Sequence, residues 1–264
     1  MLLELMTKQV ANLCRAVGSY IKRASVDIKD LKIKDKGTHN FVTRVDVESE
    51  RRLVEELRKI LPAAGFIAEE NSDLPQGEEY NWIIDPLDGT TNFIHQAPPF
   101  SISVALSGKE GLLLGVVYEV VHNECFYAWK GGGCYLNGHP VKVSEVSAMD
   151  DALVATGFPY SDFSRLENYL EAFTFMMKST HGVRRLGSAA ADLAYVACGR
   201  YDAFFEYGLK PWDVAAGSLL VSEAGGKVSD FSGGDNFLFG GEMIAAGSNL
   251  FEIFQKETGA FFKK

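Results

Sequence analysis

The stretch Trp82-Ile83-Ile84-Asp85-Pro86-Leu87-Asp88-Gly89-Thr90-Thr91-Asn92-Phe93 decides how the rest of this 264-residue chain is read. It opens on three apolar residues, a short buried strand that delivers Asp85. Pro86 then initiates a turn, and Asp88 lies beyond it. Aspartates held in this way can point into one volume. Two bare carboxylates forced together repel, so one must protonate or a cation must sit between them. Oxygen ligands with water completing the shell suit Mg²⁺. Gly89-Thr90-Thr91 follows at an expected helix start, where backbone N–H groups form a site for an anion such as phosphate. Asp, Pro and Gly are also the ordinary residues of a polar turn, so the segment alone leaves both readings open.

Acids elsewhere in the chain favour the first reading. Glu69-Glu70 ends the short apolar strand Phe66-Ile67-Ala68. Asp213, in Pro211-Trp212-Asp213, stands at the start of a helix, and Asp46 stands at the start of another. Each of these two would serve singly as an N-cap. Taken together, the acids lie at strand ends and helix starts, which is where a layered α/β protein builds a site.

Farther out, Leu3, Met6, Val10, Leu13, Val17 and Ile21 mark one face of a first helix. A lysine-rich turn is expected from Lys32 to Gly37. A second helix carries Val47, Val54, Leu57 and Leu61 and is stopped by Pro62. Long buried strands are expected at 101–106 and 112–121, then a hairpin turn at Asn137-Gly138. The polar stretch Val143 to Asp151 is the candidate boundary. It divides an N-terminal half, 1–145, from a C-terminal half, 146–264, which together make one catalytic unit. Beyond it, Leu166, Leu170, Phe173 and Met177 form a helical stripe. Phe173, Phe175, Met176 and Met177 read as core or subunit interface. Helices are expected at 189–198, 214–224 and 250–262, and strands at 201–206 and 227–229. The whole reads as mixed α and β in layers.

The net charge is −9, with no block of Lys or Arg, which argues against a non-specific nucleic-acid binder. The 4 cysteines are scattered and suggest neither zinc nor a disulfide framework. No signal peptide or membrane span is expected. These properties describe a cytoplasmic enzyme or binding protein.

The segment 82–93 resembles the first signature of the inositol monophosphatase family, and Trp212-Asp213-Val214-Ala215-Ala216-Gly217 with Glu223-Ala224-Gly225-Gly226 resembles its second. Arg184-Arg185-Leu186-Gly187-Ser188-Ala189-Ala190 is similar to the bacterial inositol-1-monophosphatase branch. The resemblance covers nearly the whole chain. It implies a five-layered α-β-α-β-α sandwich, a homodimer, sensitivity to Li⁺ and two or three Mg²⁺ ions. It further implies metal ligation by Glu69, Asp85, the Leu87 carbonyl, Asp88 and Asp213. Asp46 and Thr90 match the pair that orients the attacking water. Gly89 and Thr90 match the phosphate cradle, and Gly187, Ser188, Ala189, Glu206 and Asp213 match positions toward the sugar alcohol. Lys36 resembles a family lysine near the first metal. Ala68, Lys210 and Asn40 depart from common family residues, and Lys210 leaves fine substrate preference open.

The four carboxylates Glu69, Asp85, Asp88 and Asp213 sum to a charge that two Mg²⁺ would neutralise. The expected reaction is hydrolysis of a small polyol phosphate, myo-inositol monophosphate above all. The alternatives are fructose 1,6-bisphosphate, histidinol phosphate or a 3′-phosphonucleotide as substrate, or a regulatory protein on the same fold. Glu206 suits a neutral polyol, whose hydroxyls donate to it, and would repel a second phosphate. Asp88→Asn is expected to abolish most turnover while leaving the circular dichroism spectrum intact. Near-normal turnover at low Mg²⁺ would contradict the metal role of that residue.

Overall fold

Periodic apolar faces and one tightly packed pair of helices generate the layers. The computed structural model describes residues 2–26, 33–37, 40–160 and 162–263, and the side chains of 33–37 and 40–42 lie outside the described set. The expectations on the side chains of Lys36 and Asn40 therefore lie outside the described set. Helix α1 (Leu2–Ala24) buries Val10, Ala11, Cys14, Val17 and Ile21. Strands β1 (Ile33–Gly37) and β2 (Asn40–Thr43) pair as an antiparallel ribbon, so part of the expected lysine-rich turn is strand. Helix α2 (Arg44–Ile60) buries Val45, Leu53, Val54 and Leu57. Val47, assigned to that stripe from sequence, is 55% exposed, because at about 100° per residue it lies about 80° off the face of Leu57, whereas the buried Asp46 lies about 20° from it.

These helices cover one face of a seven-stranded sheet. Its strands are β3 (Gly65–Ala68), β4 (Asn81–Asp88), β5 (Ser101–Gly108), β6 (Gly111–Glu119), β7 (Glu124–Trp129), β8 (Gly133–Leu136) and β9 (His139–Val141), side by side in that order. The first pair is parallel and the others antiparallel. Asn137 and Gly138, at φ 49° and 90°, make the expected tight turn between β8 and β9. A short helix, α3 (Thr90–His95), leaves the end of β4.

The chain reaches the second sheet after residue 152. That sheet contains β10 (Leu153–Thr156), β11 (Gly182–Arg184), β12 (Ala203–Tyr207), β13 (Gly226–Ser229) and β14 (Glu242–Gly247), ordered β11-β10-β12-β14-β13. Helices α5 (Ala189–Ala197) and α6 (Pro211–Glu223) contact both sheets, while α4 (Leu166–Ser179) and α7 (Phe251–Ala260) contact the second sheet only, among the stronger contacts. The result is the five-layered α-β-α-β-α sandwich. On α4 the buried residues are Tyr169, Ala172 and Met176, whereas Leu170 and Met177 are about half exposed. The expected stripe thus runs along the border of the true one, displaced by a residue.

The middle layer has sheets on both sides, so its helices must be apolar nearly all round. Every residue of α5 is buried, and α6 is buried from Val214 to Val221. Small residues let these surfaces approach. A Cβ on Gly115 of β6 would lie 2.9 Å from the Ala216 carbonyl oxygen, and one on Gly217 would lie 2.5 Å from Leu193 Cβ. Gly115→Val should therefore push α6 off the sheet and cost about 1–3 kcal/mol in chemical denaturation. No loss of stability would show that the layers can separate freely there.

Candidate active site

The backbone between Asp85 and Asp88 is a bulged strand, which corrects the turn expected from Pro86. Strand β4 continues to Asp88, with Asp85 paired to Ser103 and Asp88 to Ser101, so one extra residue is accommodated. Strand side chains alternate between faces, and residues three apart would otherwise point oppositely. The bulge returns both aspartates to one side. The Leu87 N–H donates to Asp85 Oδ1 at 2.8 Å and holds this shape.

The middle-layer helices bring the next groups. Ser188 caps α5, and its hydroxyl donates to Asp88 Oδ2 at 2.6 Å. The Ala190 N–H donates to the same oxygen at 2.8 Å. Asp213 lies in the first turn of α6, and its Oδ2 accepts the Lys210 N–H at 2.6 Å. It is thus the third helical residue and not the N-cap. Ser103 Oγ donates to the Trp212 carbonyl at 2.9 Å and ties β5 to the start of α6. One oxygen each from Asp85, Asp88 and Asp213 lie within 4.8 Å of one another. Glu69, just past β3, lines the same pocket.

This crowding raises proton affinities. Burial, then the charges of Glu69, Asp88 and Asp213, lifts Asp85 well above the usual carboxylate range. Burial, then Asp213 and Glu70, pushes Glu69 up to about 8. Burial lifts Asp88 to about 6 against the hydrogen bonds from Ser188 and Ala190. Asp213 is likewise raised, by burial and then by Asp88. Carboxylate oxygens gathered under mutual repulsion are the donor set that a hard divalent cation relieves.

Asp46 approaches from the outer layer. Thr43 is the N-cap of α2, and Asp46, three residues on, accepts the Thr43 N–H at 2.8 Å. Its other oxygen lies 3.0 Å from the Thr90 hydroxyl, which is also 3.1 Å from the Leu87 carbonyl. Burial raises Asp46 to about 6, with the Thr43 bonds opposing. Gly89 precedes α3 at φ 90°, and a Cβ there would meet the Gly187 and Pro99 carbonyls at 3.2 Å. Its amide lies within reach of the Asp88 carboxylate. Asn92 Nδ2 donates to the Pro99 and Leu186 carbonyls, each at 2.7 Å, and joins α3 to the loop before α5.

The acids open on a cavity of about 340 Å³ that Gly187, Ser188, Ala189, Glu206 and Lys210 also line. Sequence reasoning missed two of its charged residues, Arg185 and Asp192. The guanidinium of Arg185 lies 5.1 and 5.2 Å from the ring centres of Phe158 and Tyr160. Asp192 is a fully buried acid on the otherwise apolar Ala189–Ala197 helix, and that incongruity was its readable signal. Arg185 stood within a quoted motif, but its ring partners lie far away in sequence.

The sequence pattern of the inositol monophosphatase family matches residues 2–259. The protein named Nus factor SuhB from Pseudomonas aeruginosa is 44% identical over 243 residues, 90% of each chain. The crystal structure of extragenic suppressor protein suhB from Bartonella henselae superposes with a TM-score of 0.89 at 35% identity, covering 94% of this chain and 95% of that one. Inositol monophosphatase from Anabaena gives a TM-score of 0.85 at 35% identity, covering 97% and 96%.

The raised acids give the cation-free protein a pH dependence of definite sign. Between its ordinary value of 4.5 and about 8, Glu69 binds more protons folded than unfolded. Its contribution to stability is complete below the ordinary value and is lost as pH rises through the raised one. In a chelator, the melting temperature should fall as pH rises through this window, and millimolar Mg²⁺ should reverse the fall. A melting temperature insensitive to Mg²⁺ at the alkaline end would contradict this account of the cluster.

Proposed function

Because this chain belongs to the inositol monophosphatase family, its acidic pocket is that of a metal-dependent phosphatase, and we propose that it hydrolyses the monoester of a small neutral polyol, myo-inositol monophosphate first among them. The observation that carries this reading is the convergence of Asp85, Asp88 and Asp213 beside the Thr90–Asp46 pair.

Asp85, Asp88, Asp213 and Glu69, with the Leu87 carbonyl, would hold two or three Mg²⁺ ions. When bound, the ions neutralise the acids and lower the pKa of water at the site. The protein's own groups do the rest. Thr90 donates its hydroxyl proton to Asp46, and its oxygen is thereby oriented to accept a proton from the attacking water. Asp46, raised to about 6, is a stronger base than an ordinary aspartate and suits that relay near neutral pH. Gly89 and Thr90 line the phosphate end of the pocket, and Ser188 fixes Asp88. Glu206, 8% exposed, lines the pocket and would meet the alcohol. A Cβ on Gly157 would fall 2.0 Å from its carboxylate, so that glycine makes room for it. Water bonds to phosphorus, the alkoxide departs, and solvent supplies its proton.

The same reading implies inhibition by Li⁺, a homodimer and a cytoplasmic setting. Among the described residues, no helix is long and apolar enough to cross a membrane. A non-catalytic binding role is a second reading, favoured by relatives that bear the name Nus factor SuhB. Pull-down with Asp88→Asn protein would separate it from catalysis.

A panel of phosphate monoesters with and without Mg²⁺ tests the main reading. Inositol monophosphate should be turned over fastest, and chelation should stop every reaction. Equal turnover in a chelator, or a clear preference for fructose 1,6-bisphosphate or a 3′-phosphonucleotide, would overturn it.

A further inference from the structure

Among the described residues, two complementary side-chain atoms in the pocket wall have no hydrogen-bond partner. Asp192 is 1% exposed, and its Oδ1 is buried without a hydrogen bond. The Nε of Arg185 is buried and equally without one. Both residues line the cavity that holds the acidic cluster. Neither group is part of the metal cluster or of the Thr90–Asp46 pair. Buried polar atoms in folded proteins are nearly always satisfied, so an orphaned donor and an orphaned acceptor in one pocket point to a ligand that supplies both.

The surroundings limit how these groups can satisfy themselves. Arg185 is held against the Phe158 and Tyr160 rings. Behind it, a Cβ on Gly187 would lie only 2.4 Å from Nη1, so the backbone passes directly beneath the guanidinium. Burial, then neighbouring acids, lifts Asp192 and Glu206 well above the usual carboxylate range, and the charge of Arg185 opposes that rise at both. The same charge acts on Asp88, so Arg185 stands between the acidic cluster and the carboxyls of Asp192 and Glu206.

Substrate groups can be sorted against this arrangement by their hydrogen-bonding capacity. An ammonium only donates and would leave Nε unmet. A second phosphate or a carboxylate only accepts and would leave Asp192 Oδ1 without a donor. A hydroxyl donates and accepts at once. Resting on the phosphatase reading above, we infer that Arg185 and Asp192 form a hydroxyl-reading pair for the leaving alcohol, with Arg185 Nε donating to, and Asp192 Oδ1 accepting from, its hydroxyl groups. Specificity for a neutral polyol then comes from this pair together with Glu206.

The test compares myo-inositol 1-phosphate with cyclohexyl phosphate, which has the same ring and no hydroxyls, using the Mg²⁺-loaded protein. In Arg185→Met and Asp192→Ala, the ratio of kcat/KM for the inositol ester to that for the cyclohexyl ester should fall about tenfold, through KM, while kcat falls less than about twofold. Arg185→Lys, which keeps a donor, should recover part of the ratio. If Asp192→Ala does not fold, the partly exposed Arg185 variants decide alone. An unchanged ratio in Arg185→Met, with both esters turned over by the wild type, would overturn the pair and leave the phosphatase reading standing. Failure of the wild type on both esters would overturn both.

Discussion

Mutual repulsion among buried carboxylates is the constraint around which this molecule is arranged. Asp85 is 2% exposed, and Glu69, Asp88 and Asp213 surround it. Like charges a few ångströms apart in a medium of low effective dielectric repel by several kcal/mol. Burial raises the proton affinities of all four acids, and the charges of neighbouring carboxylates add to it at Glu69, Asp85 and Asp213. Only protons or cations relieve the repulsion, and divalent cations relieve it at the pH where hydrolysis is useful. A site of this kind needs a scaffold stiff enough to hold the acids together in the absence of cations.

The scaffold does so by fixing one oxygen of each aspartate. Asp85 is held by the Leu87 amide, Asp88 by Ser188 and the start of α5, and Asp213 by the Lys210 amide at the start of α6. Two helix N-termini, with their positive dipole ends, thus meet the acids from the middle layer. Asp46 is fixed the same way by Thr43 and spends its second oxygen on Thr90. The close approach of Gly115 to Ala216 keeps α6 in register with the sheet that carries Asp85 and Asp88. Packing in the apolar layers therefore sets the geometry of the polar centre.

Much of this was legible in the sequence. Helical stripes, the central strands, the hairpin turn and the acids at element ends all follow from periodicity and residue chemistry. The bulge was hidden because Pro86 reads as a turn, and only pairing with Ser101 and Ser103 shows the strand continuing. The face of α4 was misread because Leu170 and Met177 are apolar yet exposed, while Ala172 is small and buried. Strands β10, β11 and β14 escaped notice, being short or rich in small residues that carry little alternation. Asp46 and Asp213 were placed at helix starts, but their position inside the first turn depends on which neighbour caps. Arg185 and Asp192 acquire meaning only from three-dimensional neighbours, and no local pattern announces them.

The central claim, that the clustered acids are held in readiness for divalent cations, is tested most directly by calorimetric titration of the chelator-treated protein with Mg²⁺ in two buffers of different ionisation enthalpy. Near neutral pH, cations should displace protons from the raised carboxylates, so the apparent heat should depend on the buffer, and this release should diminish as pH rises above about 8. Binding accompanied by no proton release at neutral pH, or equally tight binding in an Asp85→Asn variant, would contradict the account.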